Sequence, residues 1–374
     1  MEPALREHAG AVRELASRLL DALLSDAGVR AAGGDVVCSP TGLWLALAVP
    51  AVGADGDTAE ELADVVGLAW PEAAPVVDAV ARELAGIEAL AVATGVWSAA
   101  PLRAEFRAAL AEVEFGSPVD SAALDRWVAR ATDGLIERIP VRISEATRLL
   151  VVGALALRAR WRDAFDPART RDRPFHAADG TRVPVPMMHR EVPAADVWTI
   201  DGRDGEVTVV ELPCVGERPA RVRFALGPPQ APPASVITAG WAPRETGKPY
   251  EGAAVEVAVP RFELRTRLDV VPRLRALGVT APLGDAADFR WATDEPVRID
   301  AMVQQSLLRV TEEGVEAAAV SAVTLTPVSW TPKPRPVCFD RPFACVVTDP
   351  TGYVPLFAGY QATVPREAAA PTSR

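Results

Sequence analysis

Twelve consecutive residues, Val315 to Thr326, contain no proline and a single charge, Glu316, and prolines then arrive at Pro327, Pro332, Pro334 and Pro336. Residues 317 to 332 carry no charge at all. Every backbone N–H of the first stretch is free to join a β ladder, whereas the proline-rich part that follows cannot be a central strand. Side chains alternate across a strand. One face would therefore carry Val315, Ala317, Ala319, Ser321, Val323 and Leu325, all small or apolar, and the other Glu316, Ala318, Val320, Ala322, Thr324 and Thr326. An ordinary sheet strand is the simple reading. Against it stand the length, well beyond the usual strand of about five or six residues, and the alanine-rich entry, which is poor in β propensity.

The rest of the chain supplies the core such a segment would need. Of 374 residues, 49% are hydrophobic and 24% charged, as in a soluble globular protein. With no linker, charge block or repeat, residues 1–365 read as one compact domain, followed by a polar, alanine-rich tail, 366–374, that is expected to be disordered. The net charge of −11 argues against nucleic acid or an anionic membrane as partner. No stretch is long enough to span a bilayer without a charge or a proline. The N-terminus lacks the basic start and apolar run of a secretory leader, so the chain is expected to be cytoplasmic, with secretion open if a leader has been removed. Cys38, Cys214, Cys338 and Cys345 lie far apart without metal-ligand spacing and read as reduced, mostly buried thiols.

Local patterns place the first elements. Leu15, Leu19, Leu20, Leu23 and Leu24 recur at helical intervals within a helix expected over Leu5 to Leu24. Asp35-Val36-Val37-Cys38-Ser39-Pro40 reads as a short strand meeting a helix start, with Ser39 as the cap and Pro40 in the first turn of a helix that is apolar all round from Leu43 to Val49 and should be buried. Thr58-Ala59-Glu60-Glu61 has the form of a capping box. Leu149 to Leu157 is a long apolar strand. Catalysis finds little material. The three histidines, His8, His176 and His189, lie in no HExxH or nucleophile-elbow pattern, and Gly33-Gly34 and Gly53 to Gly56 lack the spacing and the Lys-Ser/Thr of a phosphate-binding loop. No catalytic residue, metal site or cofactor is expected. An enzymatic role would need His176 or His189 beside a nucleophile in a cleft.

The run Glu313-Gly314-Val315-Glu316-Ala317-Ala318-Ala319 resembles the proximal hinge of the serpins, inhibitors of serine proteases whose exposed loop is cleaved and then inserts into a sheet. The resemblance is collinear from about residue 10 to Pro365. It runs through Ser39-Pro40, Thr58-Ala59-Glu60-Glu61-Leu62, Trp127-Val128, Trp161, Phe165-Asp166-Pro167, Val210-Glu211-Leu212-Pro213, Val259-Pro260-Arg261-Phe262, Asp340-Arg341-Pro342-Phe343 and Leu356-Phe357-Ala358-Gly359. The resemblance implies a prokaryotic-type member, for which no signal peptide is expected.

Membership would imply an α+β serpin fold with three sheets, eight or nine helices and an exposed reactive-centre loop at about 314–336. It would imply a monomer that traps a serine protease covalently as a suicide substrate. Family spacing from Gly314 puts the scissile bond between Val328 and Ser329, which suits elastase-like or subtilisin-like proteases. The segment after Ser329 is some three residues longer than usual, and a displaced bond would put Trp330 before the cut and favour a chymotrypsin-like enzyme. Lys333 and Arg335 precede prolines and make poor trypsin-type sites. Trp161 matches the tryptophan of the breach, where the loop enters. Ser39, Gly42, Gly153 and Gln304 match the shutter beneath the central strands, where the family usually has two serines, an asparagine and a histidine; Gln304 is able to bond backbone instead. Residues 72 to 88, with only Arg82 against several acids, offer no heparin site. A non-inhibitory serpin acting as a binding or chaperone module is the alternative.

Overall fold

The structure is a computed structural model that describes residues 4–31, 33–68, 73–117, 120–139, 141, 147–315 and 336–366. The reactive-bond candidates Val328 and Ser329, their competitor Trp330, the hinge residues Glu316, Ala317, Ala318 and Ala319, and most of the tail lie outside these residues.

The nine residues of the strand Leu149–Leu157 are all buried, because both faces of the sheet are covered there. Leu149, Val151, Leu155 and Leu157 join the main core, which includes the helix Pro40–Gly53. Leu150, Val152 and Ala154 join a second cluster with Leu124 and Val128 of the helix Ser121–Ala131. The helix Pro40–Gly53 starts as its sequence requires: extended Ser39 accepts the Gly42 N–H on its hydroxyl at 3.1 Å, and Pro40 occupies the first turn. Each of its residues is buried.

Three sheets organise the described residues. The first runs Glu114–Gly116, Leu90–Ser98, Leu149–Leu157, Ile299–Val310, with Phe262–Asp269 on the outer side of Ile299–Val310. A second, also seven-stranded, contains Val36–Cys38, Pro355–Gln361, Phe343–Thr348, Arg221–Leu226, Gly205–Pro213, Val197–Gly202 and Lys248–Pro249 in that order. Phe224 and Phe343 from this sheet meet Phe262 of the first with ring centroids 6.4 and 5.3 Å apart, and Phe339 packs on Phe224 and Phe343 at 5.6 and 5.5 Å. The third sheet has four strands, Val337–Cys338, Ala254–Pro260, Arg182–Pro193 and Arg171–His176. Ten α-helices are present among the described residues, close to the expected eight or nine, four of them of six residues or fewer.

Two local expectations are corrected. The opening helix is divided at His8, into Ala4–Glu7 and Ala9–Leu24, where the imidazole stacks on Trp44 with centroids 5.7 Å apart. The capping box does not form. The helix Gly56–Val66 begins two residues before Thr58, whose hydroxyl instead accepts the Asp288 N–H, while the Glu61 carboxylate accepts the Thr280 and Ala281 N–H groups. Both residues are spent on tertiary contacts. The four cysteines are free, with Cys38, Cys214 and Cys345 buried and Cys338 half-buried, and burial pushes the Cys38 and Cys214 thiols up to about 12.

Candidate functional site

At the end of Ile299–Val310 the chain makes a four-residue turn, closed by the Thr311 N–H donating to the Gly314 carbonyl at 2.9 Å. Gly314–Val315 then returns as a short strand with a partner on each side. Val315 stands opposite Val310 on one side and opposite Ala159 on the other, and Gly314 stands opposite Arg160. Because Ala159–Arg160 continues from Leu149–Leu157, the hinge lies between the upper ends of the two central strands. Val315 is fully buried there. Only glycine fits at 314, because a Cβ would overlap the Ala159 carbonyl oxygen.

The turn is clasped from outside. Trp161 donates its ring N–H to the Thr311 carbonyl at 2.9 Å and its backbone N–H to the Glu313 carbonyl at 3.0 Å, with its ring against Phe165 and Phe224. Glu312 is buried and accepts both Nε and an Nη of Arg261, at 2.8 and 2.6 Å, as well as the Thr170 hydroxyl. Burial alone would raise this carboxyl, but the Arg261 guanidinium and the Thr170 hydroxyl hold it below the usual glutamate range. The Arg261–Glu312–Thr170 clasp was not foreseen as part of a site. Arg261 and Glu312 stand 51 residues apart in sequence, and only the fold makes them neighbours.

Below the hinge the central strands pair directly with each other, and in parallel, from Leu149 opposite Ile299 to Ala156 opposite Leu307. The ladders on the outer sides of both strands, to Leu90–Ser98 and to Phe262–Asp269, are antiparallel. Val310 and Ala159 are 151 residues apart in sequence, and the same interval separates Gln304 from its partner Gly153 and Leu307 from Ala156. The hinge strand is therefore already in the register of the seam beneath it.

Ser39, Gly42, Gly153 and Gln304 come together in the middle of that seam. Gln304, opposite Gly153, accepts the Ser39 N–H at 2.8 Å and donates to the Ser39 carbonyl at 2.9 Å. The Ser39 hydroxyl donates to the Leu356 carbonyl at 2.6 Å. A Cβ at 42 would overlap Leu155, and Gly153 faces the Gly42 carbonyl at ordinary contact distance. One amide side chain thus satisfies two buried backbone groups.

The histidines fall elsewhere. His8 lies on Trp44. His176 and His189 line a cavity of 390 Å³ on the four-stranded sheet together with Cys338, Glu256 and Asp340. This is the one place that brings histidines near a thiol, yet burial and the adjacent Asp340 push Cys338 up to about 11, and among the described residues no hydrogen bond joins it to either ring. Such a thiol is protonated at neutral pH and is not an activated nucleophile. Arg82, the cation of the segment 72–88, pairs with Asp78 one helical turn away.

Known proteins resemble this chain over nearly its whole length. An uncharacterised serpin-like protein of Thermococcus kodakarensis is 30% identical across 87% of this chain and 80% of its own. Serpin-ZXA of Oryza sativa subsp. japonica is 28% identical across 92% and 94%. The crystal structure of a highly specific serpin from the insect Tenebrio molitor superposes with a TM-score of 0.80 at 26% identity, covering 97% of this chain and 99% of that one. A model of the serpin (serine protease inhibitor) family matches residues 11–363, and with the three-sheet fold and the hinge between its central strands this chain belongs to that family.

Proposed function

We propose that the protein inhibits serine proteases as a suicide substrate: the protease is acylated on the loop, and the severed loop continues the strand begun by Gly314–Val315 down the seam between Leu149–Leu157 and Ile299–Val310. The observation that carries this reading is the hinge strand, already paired on both sides and in register with the seam. Continued in that register, Ala317 comes level with Leu157 and Leu308, Ala319 with Leu155 and Ser306, Ser321 with Gly153 and Gln304, and Val323 with Val151 and Met302. This places the small, apolar set toward the main core and Ala318, Val320 and Ala322 toward the cluster under Ser121–Ala131. The single charge, Glu316, comes level with Arg158 and Arg309, so its carboxylate enters between two guanidiniums.

Insertion replaces one parallel ladder by two antiparallel ones, which are slightly more stable per residue. The net gain is about one ladder of hydrogen bonds, at about 1 kcal/mol each, together with burial of the inserted side chains. Val328–Ser329 is the proposed reactive bond, with elastase-like or subtilisin-like proteases as targets and a chymotrypsin-like enzyme cutting after Trp330 as the second choice. Incubation with a subtilisin-like and an elastase-like protease tests the reading. An SDS-stable adduct of the protease with residues 1–328 is expected, together with a released peptide whose N-terminus is Ser329; simple cleavage without adduct would indicate the non-inhibitory alternative.

A further inference from the structure

The four-stranded sheet carries a group of cations that nothing in the inhibitory reading uses. Arg169, Arg171, Arg173 and His189 surround a cavity of 170 Å³, with Glu256 as its one acid. It is continuous in its lining with the 390 Å³ cavity, to which Arg182 and His176 also contribute. At about 30 Å³ per water molecule there is room for a small hydrated ion.

The charges do not cancel. Glu256 is engaged by His189 at 3.7 Å and Arg169 at 3.8 Å, and Asp340 lies 3.6 Å from Arg341. The side chains of Arg171, Arg173 and Arg182 have no ion pair or hydrogen bond among the described residues. His189 has a buried Nε2 with no hydrogen-bond partner there. A chain of net charge −11 has ample acid to pair these cations, yet Arg171 and Arg173 stand two residues apart on one strand with none matched to them. Unmatched guanidiniums lining one cavity form a set of donors to which an acceptor with several negatively charged oxygens is complementary.

From this geometry we infer a binding site for a tetrahedral oxyanion, sulfate or phosphate, held by Arg171 and Arg173 beside the His189 ring. Pro336 lines the larger cavity, so the bound anion lies beside the chain as it returns from residues 316–335.

Calorimetric titration of the full-length protein with sodium sulfate and, in a second arm, sodium phosphate, against sodium chloride at matched ionic strength, tests the site. Saturable binding of at least one of the two is expected, with a shift of the His189 ring resonances and none of those of His8. Arg171→Ala/Arg173→Ala should weaken binding by about tenfold or more, the loss expected for a charge-assisted contact of about 1.5–3 kcal/mol. Arg203→Ala, at an exposed position elsewhere, should leave binding unchanged, and unchanged thermal unfolding of the double variant would show that it still folds. A response that chloride reproduces, or affinity retained in the double variant, would overturn the inference. Because no protease enters the measurement, its outcome is independent of the inhibitory reading.

Discussion

Gly314 and Gln304 are the residues at which side-chain size and polarity bear most directly on the seam. Adding a methyl group at 314 forces the hinge away from Ala159, so Gly314→Ala should lower the denaturation midpoint by the equivalent of about 1–3 kcal/mol, in the range for strain at a close backbone approach. Removal of the Gln304 amide strands the buried Ser39 N–H, at about 1–3 kcal/mol, while the Ser39 carbonyl keeps its bond from the Leu43 N–H. Gln304→Ala should thus be among the more destabilising single changes in the first sheet, and an undiminished midpoint in urea would refute the role assigned to its amide. Glu312 gives a pH signature. Its carboxyl is held below the ordinary glutamate value of 4.5, so the stabilisation is complete above that value and is lost as pH falls through the depressed one. The midpoint of the native protein should therefore fall in acid, and Glu312→Gln should be less stable at neutral pH with a flatter acid limb.

At the scale of elements, the long parallel seam between Leu149–Leu157 and Ile299–Val310 is able to accept another strand without breaking an antiparallel ladder, and the other parallel pairing of the first sheet, at Glu114–Gly116, spans three residues at its edge. Under the inhibitory reading, Ala317→Asp would bring a carboxylate level with Leu157 and Leu308 of the main core only on insertion, and burial of an unpaired charge costs several kcal/mol. Acylation at the loop would be untouched, so this variant should be cleaved at the native rate while the fraction trapped as adduct collapses. Glu316→Lys would bring a third cation level with Arg158 and Arg309 and should reduce that fraction in the same assay, though less. Much of this level was legible in the chain. The strand Leu149–Leu157 and the Ser39-capped helix follow from patterns carried by adjacent residues. The capping box at Thr58 was misleading because a hydroxyl and a carboxylate at the right spacing found better acceptor roles toward residues 280–288, which spacing alone does not reveal.

For the whole molecule, the inhibitory reading treats the intact protein as a sheet one strand short of its most stable form. Cleavage at one bond in the loop should raise the thermal unfolding transition substantially, since a central strand is added without loss of any other element; an unchanged transition would mean that the severed loop stays outside. The sequence by itself determined that a long, small-residue, proline-free segment exists with one apolar face, and which residues make up that face, because alternation along a strand is a local property of the backbone. It also carried, through ordered motifs, the family and with it the three sheets. Only the tertiary structure decided where such a strand would go. The register of Val315 against Ala159, the Arg261–Glu312 clasp and the Gln304 bridge to Ser39 all join residues distant along the chain. Such contacts are fixed by packing and strand order, which no local pattern encodes.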